Sequence, residues 1–418
     1  MNQKKKIIIT SLLGNAIEYY GFTVFAVFAQ QIGQVFFPKY SVFLQVLFAQ
    51  LLFGSGFVSR PLGSLVFGHF GDRIGRKKTL SYKILGMSIA TFLIGITPGY
   101  NNIGILSPIL ILVLRLLQGF FVGGEGPGAA LYMLEHNKNQ KEGKIGGIII
   151  ASIVIGSFFA NVVGFIISKF YGINAFNWRI PFFIGGIAGI IGLYLRFSLP
   201  ETKDFIDIEK QKKILKIPIL EVIKYYWKKM IVIALLGGIT TAMSYMIMGY
   251  LITHLQYKLN FKQSDAMLYS MYSTFTYAVM LLLVGNILDR YRIKFRKCII
   301  LFSAVIMCTS IFVFKTINSN NFIIFIIGIT LLPLLSATIC APAYPYVYKM
   351  FRAELRYSGV AVSYNLGITI FGGFAPAICT YLTKITDLSF APAFYLMFLA
   401  VLYLASEKIF KISEHDER

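Results

Sequence analysis

The chain has 418 residues, 56% of them hydrophobic and 14% charged, with a mean hydropathy of +0.69. A soluble domain carries roughly 25% charged residues, and the apolar runs here repeatedly reach the ~20 residues that cross a bilayer, which excludes a soluble globular protein. The net charge of +22 would suit a nucleic-acid binder, but the cations fall between apolar runs, the pattern of a protein partnered by a lipid bilayer and not by nucleic acid.

In chain order, spans are predicted at about 8–34, 43–69, 79–98, 104–134, 145–169, 178–198, 231–256, 266–288, 298–315, 321–350, 357–383 and 390–410. The fold class is an all-α membrane protein of about twelve transmembrane helices. The first span follows Lys4-Lys5-Lys6 and stays apolar to about Phe37, too long for the roughly 7–15-residue core of a cleaved signal. Lysines and arginines gather in alternate loops, which predicts a multi-pass topology with both termini in the cytoplasm.

Within span 1, Glu18 lies in Gly14-Asn15-Ala16-Ile17-Glu18-Tyr19-Tyr20-Gly21-Phe22. An ionisable group at a helix centre costs about 2.5–3.5 kcal/mol on insertion scales. Two readings stand: a protonatable coupling carboxylate, or a structural one bonded to Asn15 or to a neighbouring span.

Span 2 ends in Arg60-Pro61-Leu62-Gly63 and then Gly68-His69-Phe70-Gly71-Asp72-Arg73-Ile74-Gly75-Arg76-Lys77-Lys78. The spacing predicts a helix that breaks at Gly71-Asp72, with Asp72 as a cap and the cations holding a cytoplasmic turn. Arg60 and Arg196, near span ends, are read as snorkelling or latch residues.

Span 4 holds Arg115-Leu116-Leu117-Gln118-Gly119 and, ten residues after the arginine, Glu125. That is roughly 15 Å along the axis, so the two cannot pair directly. Each needs another helix, water or a ligand, and Glu18 is one attractive partner for Arg115. In span 5, Gly156, Ala160 and Gly164 fall four apart, a spacing that lets lipid-buried helices approach closely.

The stretch 199–230 is polar and rich in lysine, and is read as a basic linker on the inner leaflet. It divides the chain into an N-terminal six-helix bundle, 1–198, and a C-terminal one, 231–418. The halves echo each other: Asp72-Arg73 is answered by Asp289-Arg290, each after a second span and before a third. Parallel repeats of this kind place a substrate site near the bilayer midplane between them. The four cysteines show neither a disulfide framework nor metal spacing. No His/Cys cluster and no Gly-x-Ser-x-Gly turn points to an enzyme.

The loop Gly68, Asp72, Arg73, Gly75, Arg76, Lys77 resembles the G-x-x-x-D-R-x-G-R-[RK] loop between helices 2 and 3 of the major facilitator superfamily. With Arg60-Pro61-x-Gly63 upstream, it looks like the metabolite:proton symporter family, which includes the proline/betaine transporters. Gly14, Asn15, Glu18, Tyr19, Tyr20 and Phe22 match that family's first-span signature. Arg115, Gln118, Gly119, Gly123, Gly124 and Glu125 match its fourth, and Trp178–Phe182 its W-R-I-P-F. The run Arg356-Tyr357-Ser358-Gly359-Val360 to Ser363-Tyr364-Asn365 is similar to the proline/betaine branch. The resemblance implies the major facilitator fold. It also implies a cytoplasmic gate at Arg60, Gly68, Asp72, Arg73, Gly75, Arg76, Lys77, Asp289 and Arg290.

Three departures stand out. The family's first-span aspartate is Gly21 here. The loop after Asp289-Arg290 lacks the usual glycine. The chain stops soon after its last span, without the coiled-coil extension of some proline/betaine transporters.

The expected function is a proton-coupled symporter importing a small zwitterionic osmolyte or amino acid, such as proline or betaine, by alternating access. Proton coupling is assigned to Glu18 and Glu125, and substrate binding to Arg115, Asn15, Tyr19, Tyr20 and Gln118. Arg115 would hold a carboxylate, and Tyr19, Tyr20 and Phe22 an ammonium through cation–π contact. Those aromatics serve equally well as packing, and Arg115 suits dicarboxylates or other organic acids, such as 2-oxoglutarate, as well as zwitterions. A non-transporting receptor is the remote alternative. The expected setting is a monomer in a bacterial inner membrane, with no cofactor beyond the coupling proton and no metal.

Overall fold

The computed structural model describes residues 3–74, 76–123, 130, 131, 133, 134, 141–172, 176–197 and 218–410. No strand occurs among them. The helices group into about twelve lengths, numbered here in chain order. In the first half these are α1 (Gln3–Val27, bent into Ala29–Phe36), α2 (Val42–Val58, continued by Arg60–Ile74), α3 (Arg76–Ile96), α4 (Leu106–Val122), α5 (Glu142–Ile166) and α6 (Ile180–Phe197). In the second they are α7 (Pro218–Tyr245, then Leu251–Tyr257), α8 (Gln263–Arg290), α9 (Phe295–Ile317), α10 (Phe322–Tyr348), α11 (Ala353–Gly367, then Ala375–Thr386) and α12 (Pro392–Phe410). Among the described residues, eight helices are long and apolar enough to cross a membrane, or nine with the bent α1 pair.

Three expected boundaries move. The helix of α2 runs on to Ile74 and does not break at Gly71-Asp72. α4 ends at Val122, short of 134, because Gly123 leaves helical geometry (φ −53°, ψ 130°). The expected linker 199–230 is helix from Pro218 onward and joins α7 through non-helical geometry at Tyr226 (φ −119°, ψ 17°). This segment packs onto the second half: Val222 is buried, Tyr226 meets the Phe351 ring, and Lys229 Nζ donates to the Met350 carbonyl at 3.1 Å.

Close backbone approach sets the tightest contacts. Gly156 of α5 lies against the Ala16 carbonyl of α1, and Gly146 of α5 against the Ala341 carbonyl of α10, leaving no room for a Cβ in either place. α5 therefore packs both within its own half and against α8 and α10 of the other.

α10 carries Pro333, Pro342 and Pro345 inside its helix. Each proline lacks the N–H that would satisfy a carbonyl one turn earlier. Ser273 Oγ donates to the freed Ile329 carbonyl at 3.0 Å, and Cys298 Sγ to the freed Thr338 carbonyl at 3.4 Å. Close to Cys298, at the start of α9, buried Glu407 ties α9, α10 and α12 together. It accepts from Tyr346 (2.7 Å), Tyr403 (2.8 Å) and Arg296 Nε (3.0 Å).

Among the described residues, three helices depart from α geometry at single π turns, Ile167–Tyr171 after α5, Met246–Tyr250 in α7 and Ile368–Gly372 in α11. Such turns recur at functional sites.

Candidate functional site

Arg60 starts the second segment of α2, and Pro61 follows it at a helix start, where a missing N–H costs little. The break falls at Ser59, whose hydroxyl donates to the Leu116 carbonyl at 2.5 Å. This seats the Arg60 side chain, 2% exposed, between the two halves of the molecule. Its guanidinium carbon lies 4.2 Å from the Phe57 ring centroid, 4.6 Å from Phe22 and 5.9 Å from Tyr19. The hydroxyls of Tyr19 and Tyr245 face it. Phe57 meets both Phe22 (4.9 Å) and Tyr245 (5.0 Å) edge-on.

Beyond Tyr245, the rings of Tyr344 and Tyr364 pack 5.1 Å apart, and the Tyr364 hydroxyl pairs with Thr240 Oγ1 at 2.8 Å. Tyr19, Phe22, Phe57 and Arg60 come from the first half, and Tyr245, Tyr344 and Tyr364 from the second. Within this cage the Arg60 Nε and Nη2 atoms are buried with no hydrogen-bond partner. The Tyr19 and Tyr245 hydroxyls bond the guanidinium but leave Nε and Nη2 unfilled, and a carboxylate is the group whose geometry matches that fork.

Arg115, expected to hold a substrate carboxylate, is bonded within the first half. It is fully buried. Nη2 donates to the Phe53 carbonyl (2.8 Å), Nε to Leu52 (3.3 Å), and Nη1 to Phe22 (3.4 Å) and to Gln118 Oε1 (2.7 Å). Gln118 Nε2 in turn donates to Thr91 Oγ1 at 2.8 Å. Arg115 thus pins α1, α2, α3 and α4 together. Carbonyls and a carboxamide, not the Glu18 carboxylate, receive its donors. A Cβ built at Gly21 would lie 3.0 Å from the same Thr91 hydroxyl. A side chain there would press on the group that holds Gln118 against Arg115.

The other first-half residues divide the same way. Glu18 is buried in α1, one position before Tyr19. Asn15 Nδ2 donates to Ser152 Oγ at 3.2 Å, holding α1 against α5. The Tyr20 hydroxyl donates to the Pro181 carbonyl at 3.1 Å, so this ring faces α6 while Tyr19 and Phe22 face Arg60. Glu125 and Gly75 lie outside the described residues, as do the side chains of Gly68, Asp72, Arg73, Arg76 and Lys77. Phe57, Tyr245, Tyr344 and Tyr364 were missed in the sequence. Only Tyr364 stood inside a motif, and the 16% aromatic content hid the others.

At the end of the bundle bearing Asp289, the halves are joined by polar bonds. Asp289 of α8 accepts from the backbone N–H of Gly143 (2.8 Å) and of Lys144 (2.7 Å), capping the first turn of α5 from across the interface. Lys349 after α10 pairs with Glu142 at 2.6 Å. Arg290 is exposed and lies near the Tyr291 ring instead.

Fold and site together define a polytopic membrane protein with a buried polar centre between two helical halves, the build of a solute carrier. The model of the Major Facilitator Superfamily matches residues 10–376 and 234–416. The glycine betaine/proline/ectoine/pipecolic acid transporter OusA of Dickeya dadantii is 33% identical over 417 residues, covering 96% of this chain and 82% of that protein. The proline/betaine transporter of Escherichia coli (strain K12) is 32% identical over 413 residues, with the same coverage. A putative proline/betaine transporter of Staphylococcus aureus is 32% identical over 406 residues, covering 95% of this chain and 86% of that one.

Among solved structures, a D-xylose-proton symporter superposes with a TM-score of 0.75 at 14% identity over 100% of both chains. XylE from E. coli, partially occluded and inward open, superposes at 0.73 with 16% identity over 98% of both. At that identity the likeness is one of fold. The chain belongs to the major facilitator superfamily and, within it, to the proline/betaine transporter-like branch of the metabolite:proton symporters.

Proposed function

We propose that this protein is a proton-coupled symporter that imports a small zwitterionic osmolyte or amino acid of the proline and betaine kind, binding it at Arg60. The observation that carries this reading is the Arg60 guanidinium, buried among ring faces with Nε and Nη2 unpartnered. A zwitterion supplies what this cage lacks. Its carboxylate fills the fork of the guanidinium, and its onium group lies against Tyr19, Phe57 and Tyr245. A dicarboxylate would call for a second open cation, and the donors of Arg115 are already taken by carbonyls and Gln118.

Glu18, buried next to Tyr19, is the carboxylate placed to couple protonation to occupancy, with Glu125 as a second candidate from the sequence. Bundles 1–198 and 231–418 would rock about the cage, with α7 starting earlier than that division allows. Asp289 holding the N-terminus of α5 is the contact that opens and closes on one side. The loop cations support a cytoplasmic position for that side and for both termini, in a chain that works as a monomer in a bacterial inner membrane.

The test is uptake into proteoliposomes under an imposed pH gradient, with proline, glycine betaine and 2-oxoglutarate side by side. Gradient-driven accumulation of the two zwitterions and not of the diacid is expected. Accumulation of 2-oxoglutarate alone would replace the substrate class.

A further inference from the structure

At the end of the bundle away from Asp289, a cavity of about 250 Å³ lies between the two halves. It is lined by Gln30, Gln31 and Gln34 of the bent end of α1, Gln256 at the end of α7, Gln263 at the start of α8, and Phe261 between them. Five of its six walls are carboxamides and none is charged, in a chain of net charge +22. The volume falls a little below the ~300 Å³ at which drug-sized pockets begin, which suits a solute of a few heavy atoms.

Gln31 is 7% exposed. Its Oε1, together with Nε2 of Gln256 and of Gln263, is buried without a hydrogen-bond partner. Buried amide groups left unmatched are costly, and here one acceptor and two donors belong to residues that line a single space. A carboxamide oxygen accepts from an ammonium N–H, and its NH₂ donates to a carboxylate. Uncharged walls of this kind match a solute that is neutral overall and strongly dipolar.

The cavity and the cage are both walled by α1 and α7. Tyr19 to Gln30 on α1 and Tyr245 to Gln256 on α7 are each eleven residues apart, about 16 Å of helix rise. Between those points both helices leave regular geometry. α1 bends by 60° at Phe28, and α7 makes its π turn at Met246–Tyr250. The two helices that wall the cage can therefore flex between it and the glutamines.

We propose that the glutamine cavity is a second, outer solute site that selects zwitterions bearing N–H donors before they reach Arg60. The proposal rests on the reading of the Arg60 cage as the transport site. The buried Gln31 oxygen requires a donor. Proline carries N–H groups on its ammonium, whereas glycine betaine, fully methylated at nitrogen, has none. The cage accepts both through ring faces, so the outer site separates them.

The experiment compares uptake of L-proline and glycine betaine by the full chain in proteoliposomes, for wild type and for Gln31→Leu with Gln256→Leu. A rise in the proline KM of about tenfold, the loss of roughly one charge-assisted hydrogen bond, with the betaine KM within about twofold, is expected. Equal changes for the two solutes, or none, would overturn the proposal. If the leucine pair loses all uptake, Gln31→Asn with Gln256→Asn is read by the same ratio. Failure of the cage reading shows separately, as undiminished betaine uptake in Arg60→Ala.

Discussion

The guanidinium groups of Arg60 and Arg115 both lie against the ring of Phe22, at 4.6 and 4.2 Å from its centroid, yet they are bonded in opposite ways. Arg115 delivers its donors to three carbonyls and Gln118, while Arg60 keeps Nε and Nη2 open inside an aromatic cage. One cation holds the first half together, and the other is the one proposed to take the solute's carboxylate.

The two arginines should therefore fail differently. Arg115→Ala leaves buried carbonyls and Gln118 without their donor, and should lower the thermal midpoint of the purified protein by an amount corresponding to about 3 kcal/mol. Arg60→Ala should keep a near-wild-type midpoint and lose solute binding. Matching melting curves for the two variants would contradict this division.

Tyr245 brings its hydroxyl from the second half to Arg60, and its ring packs edge-on against Phe57 at 5.0 Å. Tyr245→Leu removes a desolvated cation–π partner worth around 2 kcal/mol, so the glycine betaine Kd should rise roughly thirtyfold. Tyr245→Phe keeps the ring face and should cost much less. Equal losses in the two variants would show that the hydroxyl, not the ring, makes the contact.

The choice between these arginines could not be read in the sequence. Both stand in apolar helices, and what separates them is which carbonyls lie within reach once α1, α2 and α4 have packed. Leu52 and Phe53, which receive Arg115, are ordinary apolar positions with no polar side chain to mark them. The alternation of apolar spans with basic loops, by contrast, is a one-dimensional signal, and it made the helical fold and the Asp72/Asp289 echo legible. What the lysine-rich stretch before α7 did not reveal is that Val222 and Lys229 pack on the second half. The π turns carry no proline or other residue signature that would have announced them.

The cap that Asp289 places on α5 is worth about 1 kcal/mol by analogy with helix N-caps. Asp289→Ala should shift the populations of the closed and open states at that end by roughly fivefold. Spin labels at the exposed positions Lys141 and Arg292 would report a larger long-distance population. An unchanged distance distribution would remove Asp289 from the latch.

Glu407 is held by two tyrosine hydroxyls and Arg296, whose side chain is 29% exposed. Glu407→Leu leaves all three without their acceptor and should destabilise the second half by on the order of 3 kcal/mol. The thermal midpoint reads this directly, and a variant as stable as wild type would mean that the knot contributes little.

If Glu18 is the coupling carboxylate, Glu18→Gln should abolish accumulation driven by a pH gradient while sparing counterflow exchange. Uphill uptake in that variant would move coupling elsewhere.

The most direct test of the account is calorimetric titration of glycine betaine into purified wild-type protein and into Arg60→Ala, each first shown to be folded by its melting curve. Saturable binding to wild type and none to the variant is expected. Binding of equal affinity to both proteins would contradict it.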